Sequence, residues 1–134
     1  MIETTTLDPI WEEKYASGLT VKYPYDSVVT FVFRNRPRDK EINQTRVLEV
    51  GCGTGNNVWF LAREGFQAYG LDGSKSAIEF ARDHLKKEGL SANLDVGDFT
   101  NLPYENDFFD LVIDRGSITC CGFSAAKDTV TEIK

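Results

Sequence analysis

Short apolar runs alternating with amphipathic stretches set the plan of this chain. Residues 47 to 50 are apolar except for Glu49 and stop abruptly at Gly51, Gly53 and Gly55. A short apolar run ended by glycines has the pattern of a buried strand. Residues 56 to 64 then read as a helix, 66 to 71 as a strand and about 75 to 88 as a second helix. In that second helix Ala77, Ile78, Ala81, His84 and Leu85 share a face, and Gly89 stands where a C-terminal cap is expected. Strands at about 92 to 97 and 108 to 113 follow, joined by a loop. Strands alternating with helices predict a parallel sheet with right-handed crossovers, and a ligand crevice at the carboxyl ends of the strands. Glu49, Asp72, Asp98 and Asp114 all fall at or near such ends.

Upstream, Tyr25 to Asn35 carries two patterns at once. Its β-branched and aromatic residues favour a strand, whereas Val28, Phe31 and Val32 recur at i, i+3 and i+4, with Asp26 or Ser27 placed to cap a helix. Pro37 ends the element in either case. The basic run from Arg34 to Lys40 reads as a solvated element end and linker, since cations near a helix C-terminus are favourable without any partner.

Composition narrows the class. The 134 residues suit one domain, and 41% hydrophobic content is enough for a core. A net charge of -6 disfavours tight nucleic-acid binding, which needs a clustered basic surface. No stretch is long and apolar enough for a membrane span, and the first residues lack a signal-peptide pattern, so the expected setting is cytoplasmic. Cys52, Cys120 and Cys121 form neither an even framework nor a C-x-x-C pair, so no disulfide scaffold and no metal site is expected. The lone His84 lies in the C-terminal half of its helix, away from the strands' carboxyl ends, and is expected to be a partly exposed structural residue.

The chemistry concentrates at the glycines. Alternating glycines let a ligand lie directly against the main chain, and the helix from Asn56 aims its first free N–H groups at it. A dinucleotide fingerprint needs a third small residue where Asn56 stands, and a phosphate-binding P-loop needs Gly-Lys-Ser/Thr, which is absent. Glu49, two residues before the first glycine, would repel a pyrophosphate and suit a cationic ligand. A nicotinamide oxidoreductase is therefore the weaker enzyme reading.

The stretch Glu49-x-Gly51-x-Gly53-x-Gly55 resembles the first motif of the class I S-adenosylmethionine-dependent methyltransferases, whose cofactor carries a sulfonium and an α-ammonium but no phosphate. Asp72 lies one strand-loop-helix-strand unit beyond, close to the ~20-residue interval at which an acid meets a ribose hydroxyl pair. Val96-Gly97-Asp98-Phe99 resembles the family's adenine-binding segment, and the stretch from Leu102 to Val112 its following loop and strand. The resemblance spans about Trp11 to Thr119. It implies a Rossmann-like doubly wound parallel sheet and S-adenosyl-L-methionine as cofactor. The cofactor would be held by Glu49, Gly51, Cys52, Gly53, Gly55, Asn56, Asp72, Gly73, Asp98, Phe99 and Asp114. It also favours a helix at Tyr25 to Asn35, and makes residues 1–40 a helical or lid segment before a cofactor-binding domain at 41–134. Trp11 and Tyr15 either close the site or pack on the domain surface.

By this resemblance the protein moves the sulfonium methyl to a nucleophilic atom of a small-molecule acceptor, with no catalytic base assignable. Arg115-Gly116-Ser117 departs from the Asn/Asp-Pro-Pro-Tyr signature of adenine methylators, and Asp114, where the family presents its substrate-facing motif, reads as a base or, at least equally, as a helix-capping carboxylate before Gly116 and Ser117. The resemblance also implies further C-terminal strands of the fold after residue 114, which are expected to be missing here. The expectation is a piece of a longer enzyme, or a half-fold completed by self-association through the open sheet edge. A non-catalytic cofactor-binding or assembly module is the other class left open.

Overall fold

The computed structural model describes residues 9–18, 20–98 and 100–115. Its elements are α1 (Pro9–Ala16), α2 (Asp26–Asn35), a 3₁₀ turn (Ile42–Gln44), β1 (Arg46–Val50), α3 (Asn56–Glu64), β2 (Gln67–Asp72), α4 (Lys75–Lys87), β3 (Asn93–Val96) and β4 (Leu111–Asp114). All strand pairings are parallel, in the order β3-β2-β1-β4. The chain thus winds outward from β1 through β2 to β3, then crosses back to place β4 on the other side of β1. That reversal opens a crevice at the carboxyl ends of β1 and β4.

Alternate strand residues face opposite layers. Val47, Ala68, Leu94 and Ile113 join Val28, Val32, Val58, Leu61, Ile78, Ala81 and Leu85 in one core, so α2, α3 and α4 cover the same sheet face. Gly70 lets them close onto it: a Cβ there would stand 2.9 Å from Leu94, 3.0 Å from the Cys52 sulfur and 3.0 Å from Val58. On the other face Leu48, Val50 and Leu71 are buried beneath Tyr69, Leu102, Tyr104, Phe109 and Val112. Among the described residues this second layer is the loop between β3 and β4. No helix among them is long and apolar enough to cross a membrane.

The ambiguous stretch is a helix, with Val28 and Val32 buried. Neither Asp26 nor Ser27 caps it: Tyr25 holds the N-cap position without a side-chain bond, and Asp26 lies in the first turn. Arg36 is already extended (ψ 144°), as a residue before proline must be. The last strand begins at Leu111 rather than at 108, because Phe108 and Phe109 turn onto Tyr69, with ring centroids 5.5 and 5.0 Å away. Asp110 then fixes the register by accepting from the Arg46 N–H (2.9 Å) and from Lys40 Nζ (2.9 Å).

Candidate functional site

The turn after β1 is built by backbone conformation. Gly51, Gly53 and Gly55 have φ of 65°, 56° and 84°, in the left-handed region that a Cβ disfavours. The Cys52 N–H donates to the Leu71 carbonyl (3.1 Å) and the Gly55 N–H to the Cys52 carbonyl (3.0 Å), so the turn is docked on the end of β2. Gly55 is the N-cap of α3. Asn56 begins the helix and donates from Nδ2 to the Tyr23 carbonyl (2.9 Å).

Asp72 ends β2 and joins this turn directly. Its Oδ1 accepts from the Gly53 N–H (3.0 Å) and its Oδ2 from the Ser74 N–H (2.8 Å). Burial raises its pKa, and these two N–H donors hold the charged form against that rise. The helix cap belongs to Ser74, whose Oγ accepts from the Ala77 N–H (3.2 Å). Asp72 is thus tied to the glycine turn instead of capping α4, and Gly73, half-buried, separates the two roles. Each Asp72 oxygen retains a lone pair for a further donor.

Glu49 faces α3 from β1 and is 2% exposed. Its Oε2 accepts from Asn57 Nδ2 (2.7 Å), while Oε1 has no hydrogen-bond partner among the described residues. Burial first, then the charges of Asp114 and Asp72, push its pKa up to about 8 against the pull of Asn57. Burial likewise pushes the Cys52 thiol up, which suits an inert packed residue. Asp98 follows β3 and caps the next turn, with Oδ1 accepting from the Thr100 N–H (2.9 Å) and hydroxyl (2.7 Å). Asp114 is the last, exposed residue of β4, beside Val50 in register. Phe99 lies outside the described residues.

The N-terminal segment packs over this arrangement. Tyr15 lies so close that its hydroxyl is 2.8 Å from where a Cβ on Gly53 would stand. Burial and the neighbouring Asp72 raise the Tyr15 pKa to about 12. Glu12 accepts hydrogen bonds from the Ser74 hydroxyl, the Ser76 hydroxyl (2.6 Å) and the Ser76 N–H (3.3 Å) at the start of α4. These bonds hold its pKa low. Further along, Thr20 meets Thr54 (3.2 Å between hydroxyl oxygens), and the Tyr25 N–H donates to Asn57 Oδ1 (3.0 Å).

The reading from sequence missed Glu12 and Asn57. Asn57 had one legible signal, a polar residue on the helix face that Val58 and Leu61 otherwise make apolar. His84 lies outside the site, stacked on Trp59 at 6.4 Å and bonded through Nε2 to Glu88 (2.8 Å).

A left-handed glycine turn hydrogen-bonded to a carboxylate at the end of the neighbouring strand, with no positive side chain among the described residues paired to Glu49 or Asp72, is suited to a hydroxyl pair and a cation, not to a pyrophosphate. Comparison with known proteins agrees: the family described as "Methyltransferase domain" matches residues 47–134. The chain belongs to this family. Among relatives of this family member, the methyltransferase GfsG of Streptomyces halstedii is 40% identical over 70 residues, covering 50% of the chain and 25% of the relative. Norajmaline N-methyltransferase of Rauvolfia serpentina is 34% identical over 84 residues, covering 60% and 29%. EEF1A lysine methyltransferase 2 of Danio rerio is 41% identical over 73 residues, covering 53% and 31%. A structure described by the conversion of a disulfide bond into a thioacetal group during echinomycin biosynthesis superposes with a TM-score of 0.78 at 27% identity, covering 93% of this chain and 53% of that one. The PH0226 protein of Pyrococcus horikoshii superposes with a TM-score of 0.70 at 26% identity, covering 81% and 46%. The chain therefore spans a quarter to a third of these curated relatives and about half of these solved structures. Both the parallel α/β fold and the family expected from the sequence are borne out.

Proposed function

We propose that this chain is the cofactor-binding part of an S-adenosylmethionine-dependent methyltransferase acting on a small-molecule acceptor. The observation that carries the reading is the bond from the Gly53 N–H to Asp72, which locks a Cβ-free cradle to a carboxylate with lone pairs to spare. When bound, the cofactor supplies an electrophilic methyl group on a positively charged sulfur.

The chain's residues fit that group on their own chemistry. Asp72 would accept from both ribose hydroxyls, its two oxygens already oriented by Gly53 and Ser74. Gly51, Cys52, Gly53, Gly55 and Gly73 would leave main chain open to the ligand, with Asn56 anchoring the start of α3. Asp98 and Phe99 would meet the adenine, and the carboxylates of Glu49 and Asp114 lend the site negative charge beside the sulfonium. Within residues 1–40, the described Tyr15 stands against the glycine turn and would help to cover the bound ligand. Holding the reactants aligned and excluding water is what such a site contributes to a displacement.

A small-molecule acceptor is supported by the relative named norajmaline N-methyltransferase and by the net charge of -6, which disfavours nucleic acid. Calorimetric titration with S-adenosylhomocysteine tests the reading. Binding that Asp72→Ala weakens by 10-fold or more, with no signal for NAD, is expected from the loss of two charge-assisted hydrogen bonds, roughly 1.5–3 kcal/mol each. Tight NAD binding without S-adenosylhomocysteine binding would replace it with the oxidoreductase reading.

A further inference from the structure

Among the described residues the buried carboxyl of Glu49 has no counter-ion, and the groups around it explain what it is for. From its own strand and loop it meets Cys52, from β2 Asp72, from β4 Asp114, from α3 Asn57 and from α1 Tyr15. The Asn57 amide in turn holds the Tyr25 N–H at the start of α2, and the Arg115 guanidinium lies over the Tyr25 ring, 4.4 Å from its centroid. Among the described residues, each of these groups acting on Glu49 itself is neutral or acidic. None of the ion pairs among the described residues includes Glu49. One oxygen is satisfied by Asn57, and the other, Oε1, has no partner there.

An ionised carboxylate in such surroundings loses its hydration without gaining a cation, so the group takes up a proton instead. A ligand that brings a positive charge into the pocket reverses the balance by supplying the missing counter-ion. A ligand of the same shape without that charge does not.

We infer that Glu49 discriminates the sulfonium cofactor from the neutral thioether product by exchanging a proton: it is protonated in the ligand-free chain, ionises when the sulfonium enters, and is protonated again once the sulfur is neutral. This rests on the proposed function above. The balance is simple. On binding, the carboxyl O–H bond breaks and its proton passes to solvent, leaving a carboxylate beside the sulfonium. After the methyl group has left, the carboxylate recovers one proton from solvent. No oxidant or further reactant is involved.

Glu49 is thereby a specificity residue. With a free-chain pKa of about 8, the affinity for the sulfonium should rise about tenfold per pH unit between pH 6 and 7 and level off near pH 8, while that for the thioether stays nearly flat.

The test is titration calorimetry of the full chain with S-adenosylmethionine and with S-adenosylhomocysteine at pH 7, each in phosphate and in Tris, whose different ionisation heats count the protons released. We expect release of most of one proton with the sulfonium and much less with the thioether. In Glu49→Gln, which keeps an acceptor for Asn57, the difference should vanish; the variant also subtracts protons carried by the ligands' own amino groups. Equal proton counts for the two ligands in the wild-type chain would overturn the inference without reference to any variant. Persistence of the difference in Glu49→Gln would overturn it as well. Failure of the folded chain to bind either ligand would instead remove the proposed function, and this inference with it.

Discussion

Gly55 performs two structural tasks at once, and they can be separated by experiment. Its φ of 84° is left-handed, and a Cβ built on it would stand 2.9 Å from the Cβ of Ala81 on α4. Gly65, at the other end of α3, has a φ of 96°, but a Cβ there would meet only Ile42 at 3.8 Å, an ordinary contact. Gly65→Ala should therefore cost the backbone term alone, about 1–2 kcal/mol. Gly55→Ala should cost that plus overpacking of α3 against α4, about 1–3 kcal/mol more. Urea denaturation followed by tryptophan fluorescence measures both. Against a domain stability of about 5–15 kcal/mol the difference is large. Ala81→Gly removes the opposing methyl at a helix cost of about 1 kcal/mol. Combined with Gly55→Ala it should show a favourable coupling of about 1–3 kcal/mol, because the clash exists only when both Cβ atoms are present. Equal costs for the two glycine variants, or a coupling of zero, would refute the reasoning.

Three further outcomes follow from the same geometry. Glu49 has its folded pKa raised from 4.5 to about 8, so the stability it allows is full below 4.5 and is lost as pH rises towards 8. Glu49→Gln should thus gain on the wild type by up to about 1.4 kcal/mol per pH unit across that window, and a pH-independent difference between the two denaturation curves would contradict this. Asp110 goes the other way: burial works against its charge, but Lys40 and the Arg46 N–H outweigh it and lower the pKa. Its contribution is present above its ordinary value of 3.8 and fades as pH falls through the folded value. Asp110→Asn should cost about 1–2 kcal/mol at neutral pH, discounted for the half-exposed Lys40, and less in acid. Glu12→Ala removes the acceptor that Ser74 and Ser76 share, and limited proteolysis should then cut within residues 9–25 sooner than in the wild type, with the strands still protected.

The sequence by itself determined the alternation of elements and the turn at the heart of the site. Residues 56–64 were legible as a helix because glycines bound them on both sides, and the four carboxylates fell at strand ends because hydrophobic runs stop where strands stop. These are local signals, written within one turn or one strand. Tertiary structure alone decided what lies between distant segments. Asn57 joins Glu49 to the start of α2, and Glu12 reaches the start of α4 across 62 positions; a polar residue carries no local mark of which distant partner will satisfy it. The same holds for the start of β4, where Phe108 and Phe109 continue a strand-like apolar run in sequence yet leave it in space. Which face of the sheet lacks aromatic cover is a property of the assembled layers, so only the packed fold could direct those two rings onto Tyr69.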